Sequence, residues 1–130
     1  MQGGEATPSR QQSSQVLNLM YQDANKMFYE IDGQINNLYS MHARASASLN
    51  ASNSTAVREM SDSDVELIRE RTALLGDKLN EMDDTFAQAV TGGSLPPEKQ
   101  TYWRKRIESL RLNVVRLPQN LARAQRNYNR

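Results

Sequence analysis

Apolar side chains recur in alternating steps of four and three over most of this chain. From Trp103 the series continues through Ile107, Leu110, Val114, Leu117, Leu121, Ala124 and Tyr128. That rhythm places all eight on one face of an α-helix, whereas strand alternation would scatter them over two faces. Ser94 as a possible N-cap and Pro96-Pro97 mark its start, because proline fits a first turn whose N–H groups have no intrahelical partner. The spacing predicts a helix over about 96–128.

Two earlier stripes keep the same rhythm. Leu17, Tyr21, Ala24, Phe28, Ile31, Ile35, Leu38, His42 and Ala45 predict a helix over about 14–48. Gly33 interrupts it on the polar side, at a cost of about 1 kcal/mol relative to alanine. Val65, Ile68, Thr72, Leu75, Leu79, Met82, Phe86 and Ala89 predict another over about 62–90. Ser63 followed by Glu66 reads as its capping box, and Gly92-Gly93 as its stop. Between them, Ser46–Thr55 is rich in Ser and Asn and reads as a linker. Residues 1–12, rich in Gly, Gln, Ser and Pro, read as a disordered tail.

Three stripes of similar length joined by two connections imply an all-α fold over 13–130, an antiparallel up-down-up three-helix bundle. A sustained 3.5-residue period predicts left-handed, coiled-coil-like packing. Pro118 falls inside the third stripe. It cannot donate to the Val114 carbonyl, so a kink is expected near Val114–Leu117, either a tolerated irregularity or a hinge.

Composition narrows the chemistry. An apolar fraction of 38% with 6% aromatics suits slim helices that each bury one stripe. Cysteine is absent, which removes disulfides and cysteine-based zinc sites. There is no phosphate-cradling glycine loop, no cysteine nucleophile and only one histidine, so no catalytic constellation is found and no enzyme, cofactor or metal role is expected. His42 sits on an apolar stripe and reads as a structural side chain. Glu81 with Asp83-Asp84 could suggest a cation site, but such a run is more often a solvated helix end. The methionines read as gap fillers. Asn50-Ala51-Ser52 and Asn53-Ser54-Thr55 match the glycosylation sequon, yet the polar N-terminus has no signal-peptide core and no run of about 18 apolar residues is present.

The net charge of +1 hides an asymmetry. Residues 95–130 hold nine Lys/Arg against two Glu, and residues 58–90 hold nine Asp/Glu against four Lys/Arg. Complementary neighbours favour side-by-side packing. The basic face reads first as a solvated face paired with the acidic helix. It could also dock an acidic protein or anionic lipid. Nucleic acid ranks third, because no nucleic-acid motif accompanies the cations.

Pro96, Pro97 and Lys99 form a Pro-Pro-x-Lys, followed by Tyr102-Trp103-Arg104-Lys105, Leu110, Leu117, Leu121 and Arg126-Asn127. In these positions Leu95–Arg130 resembles the N-terminal region of membrin-type SNARE proteins, the Qb-SNAREs of ER–Golgi traffic. Arg71–Phe86, with Leu75, Leu79 and Met82-Asp83, resembles the family's ELxxLxxxMDxLW region. Vti-type SNAREs share a similar Leu-Pro-Pro…Tyr…Arg pattern. The match covers roughly Val65 to Arg130 as dispersed positions, and Pro118 departs from it. The resemblance implies a three-helix, Habc-like regulatory domain. It further implies a SNARE motif and a C-terminal membrane anchor that this chain does not contain. The expected function is non-catalytic recruitment of other SNAREs, tethers or regulatory proteins through a helical surface, in ER–Golgi vesicle transport and membrane fusion. Arg104, Lys105, Arg111 and Arg116 are the candidate partner-binding residues. The full-length protein is expected on the cytosolic face of Golgi or ER membranes, and this fragment as a soluble monomer. The alternative is a coiled-coil subunit of a tethering or cytoskeletal assembly, which would oligomerise with concentration.

Overall fold

The computed structural model describes residues 10–47 and 51–128, and all of it is helix apart from short turns. Four helices follow in order: α1 (Arg10–Ala47), α2 (Ala51–Thr91), α3 (Pro97–Val115) and α4 (Leu117–Tyr128). Residues 1–9 of the expected tail and 48–50 of the expected linker lie outside the described residues, as do the side chains of Ala45 and Tyr128.

The stripes form the core. Leu17, Ala24, Ile31, Ile35 and Leu38 of α1 are buried, with Val65, Ile68, Leu75, Leu79, Met82 and Ala89 of α2. Trp103, Ile107, Leu110 and Val114 of α3 join them, and Leu117, Leu121 and Ala124 of α4 continue the same face. Removing these apolar surfaces from water is the main drive for packing the helices, at about 25 cal/mol per Å².

Helix ends differ from the sequence reading at three points. α2 begins at Ala51, so Ser63–Glu66 lies inside a helix instead of capping one, and the linker extends no further than residue 50. Ser, Asn and Thr cost only tenths of a kcal/mol each in a helix, and extending a formed helix is cheaper than nucleating a new one. α1 begins at Arg10, so the tail is shorter than residues 1–12. Ser94 is not the N-cap of α3; Pro96 holds that position in an extended conformation, with Pro97 opening the helix. Ser94 is buried instead, its hydroxyl 2.8 Å from that of Ser13 and donating to the Ala89 carbonyl at 3.2 Å.

The glycine stop is as expected. Gly93 has φ +72°. The Ser94 N–H reaches the Ala89 carbonyl at 2.9 Å and the Gly93 N–H reaches that of Val90 at 3.1 Å, a pairing that closes the helix through a left-handed residue.

The expected kink is a break. The Arg116 N–H turns back to the Asn113 carbonyl at 3.2 Å, and the Arg116 carbonyl accepts from Asn120 at 2.9 Å to start α4. Pro118 thus lies in the first turn of a new helix, where its missing N–H leaves nothing unpaired. The break redistributes contacts: α1 packs extensively on α2 and on α4, whereas α2 meets α3 moderately and α4 only slightly.

Candidate partner-binding surface

The four candidate cations fall on two surfaces. Arg104 and Arg111 line the seam between α3 and α2. The Arg104 guanidinium lies 5.9 Å from the centroid of the Phe86 ring. Arg111 pairs with the Asp83 carboxylate of α2. Both partners stay partly exposed, at 39% and 46%, so the pair fixes register more than it stabilises. Asp83 of the acidic run is therefore engaged by a side-chain cation, and among the described residues no cluster of three His, Asp or Glu is placed to hold a metal. Lys105 and Arg116 are exposed on the far side of the helix.

Two separate cavities open on the seam. A cavity of about 190 Å³ is lined by Asp83, Phe86, Arg104, Ile107, Glu108 and Arg111. Beyond the break, where α2 and α4 barely touch, a mostly apolar cavity of about 410 Å³ follows. Arg69, Thr72, Ala73, Leu117, Pro118, Leu121, Ala122 and Gln125 line it. Small side chains at Ala73 and Ala122 leave the room, and the end of α3 at Val115 lets α4 swing onto α1.

Arg106, which is not among the four candidate cations, ties α3 to α1. Its guanidinium lies 4.2 Å from the Tyr21 ring centroid and 5.1 Å from that of Tyr102, and it donates to the Tyr102 hydroxyl at 2.8 Å. Tyr21 meets Trp103 edge to face at 6.2 Å. His42 is buried, with Nδ1 2.8 Å from the Ala124 carbonyl. A carbonyl only accepts, so Nδ1 carries the proton.

No protein-family profile, curated protein or solved structure matches this chain.

Charge is sorted by helix edge. Taking the residue two places after each stripe position, a step of 200°, marks the side facing away from the core. On α3–α4 this gives Lys105, Ser109, Leu112, Arg116, Gln119, Arg123 and Arg126: all exposed, with four cations and no anion. On α2 it gives Leu67, Glu70, Leu74, Asp77, Glu81, Asp84 and Gln88: all exposed, with four anions and no cation. On α1 the signs are mixed, with Asp23 and Glu30 against Lys26 and Arg44. Among the described residues, no helix is long and apolar enough to cross a membrane.

Proposed function

We propose that this chain is the N-terminal regulatory domain of a membrin-like Qb-SNARE, a non-catalytic module that binds a partner helix and so controls access to a fusion motif. The reading rests on the sequence resemblance. Its chief structural support is that the resembling segment provides the capping proline, Pro96, and the buried Trp103, Leu110, Leu117 and Leu121 of the bundle. An up-down-up order fits the Ser13–Ser94 contact at one end of α1 and the His42–Ala124 contact at the other. The 3.5-residue period of the buried positions favours left-handed packing.

The open α2/α3–α4 seam suits an amphipathic helix laid on its apolar floor with Arg104 and Arg111 at the rim. Other SNAREs, tethers and regulatory proteins are the candidate partners, in ER–Golgi transport. Exposed Leu67, Leu74, Leu112 and Val115 favour a second reading, a subunit of a larger coiled-coil assembly.

An antibody to this domain tests the first reading. The endogenous protein should run roughly 10 kDa above the 14.8 kDa of this chain and resist carbonate extraction, as a SNARE motif with an anchor of about 20 residues requires. An endogenous species of 14.8 kDa that carbonate releases would remove the fusion reading.

A further inference from the structure

We propose that the outer edge of α3–α4 rests on an anionic membrane surface, with Lys105, Arg116, Arg123 and Arg126 against lipid phosphate and carboxylate groups and Leu112 dipping among the headgroups. These cations span 22 residues, about 30 Å along the helices. None of the four is in an ion pair among the described residues, whereas Arg111, in the seam, is. Leu112 lies in their midst and is 58% exposed. Cations flanking an exposed aliphatic side chain are the chemistry by which peripheral helices meet acidic lipid.

The edge is the convex back of α3–α4; Arg123 also borders a cavity that α4 forms with Ile35, Asn36 and Tyr39 of α1, and the cavities with Arg104 or Leu117 in their walls lie on the seam. A convex edge offers a protein partner little area to bury, and a stable protein interface needs on the order of 1,200 Å². A bilayer needs only charges in one plane. The acidic edge of α2 adds orientation, because an anionic plane repels it and one face of the bundle is then selected. The inference does not rest on the SNARE reading, since any membrane-associated role of this chain is compatible with it.

Sedimentation of the 130-residue chain with vesicles tests it directly. Phosphatidylcholine vesicles carrying roughly 30% phosphatidylserine should bind the chain, and pure phosphatidylcholine should not. Binding should fall steeply as salt rises from about 0.05 to 0.5 M. Neutralising Arg116→Gln with Arg123→Gln should lower partition about thirty-fold. The pair Lys26→Gln with Arg44→Gln removes the same charge from the α1 edge and should change it little. Circular dichroism confirms that both variants fold. Equal losses from the two pairs would reduce the effect to net charge and overturn the assignment. So would retention on immobilised poly-glutamate without vesicle binding, which would give the edge to an acidic protein. A salt-sensitive doubling of mass without vesicle binding would give it to the acidic α2 edge of a second copy.

Discussion

His42 holds a core position next to that of Leu38 along the stripe, and it brings a hydrogen-bond donor with it. The Nδ1–H reaches the Ala124 carbonyl in the second half of α4, so one side chain joins the C-terminal parts of the first and last helices. His42→Ala should cost about 2–4 kcal/mol in urea unfolding, combining a cavity with a lost buried bond. A loss under about 1 kcal/mol would show that the joint carries no weight. The burial of His42 was legible from its place in the 4-3 rhythm, but its partner was not, because a backbone carbonyl 82 residues away leaves no trace in local spacing. The place of Arg106 between α3 and α1 was not legible for a related reason. It stands beside the stripe, and only the joint position of Tyr21, Tyr102 and Trp103 gives it a ring stack to occupy.

At the scale of whole helices, the period of apolar positions was read correctly and the boundaries less so. A break at Pro118 was foreseeable because proline constrains the backbone wherever it stands. The start of α2 was not, because a capping box only shows that a helix could begin there and says nothing of helix continuing upstream. Propensity is a weak determinant in helices that packing holds, and the two helical glycines show the margin left. A methyl group at Gly33 or Gly76 meets nothing within 4 Å, and neither has a positive φ. Gly33→Ala and Gly76→Ala should each stabilise by up to about 1 kcal/mol, read as a rise in thermal midpoint. A fall at either site would mean that the helix there depends on a bend that alanine resists.

Across the whole molecule, composition gave a nearly neutral chain and the fold gave three unlike edges. The asymmetry between residues 58–90 and 95–130 was visible in the sequence. What was not visible is that only part of it is spent on Asp83 and Arg111 facing each other. Arg104 and Arg106 lie over rings at the helix seams, and the charges two steps beyond the stripe on α2 and on α3–α4 are exposed. The break at Arg116 has a further consequence, in the order of synthesis. α1 is made first, yet Ile35 and His42 are covered by Asn120 and Ala124, which emerge from the ribosome about 80 residues later. Until then the C-terminal half of α1 has α2 alone to lie on. A chain ended after Arg116 should therefore keep most of its helical signal while binding a hydrophobic dye and a holdase chaperone that the 130-residue chain ignores. If that shortened chain stays free of both, α1 and α2 form a self-sufficient pair, and α4 is an addition to a fold already complete.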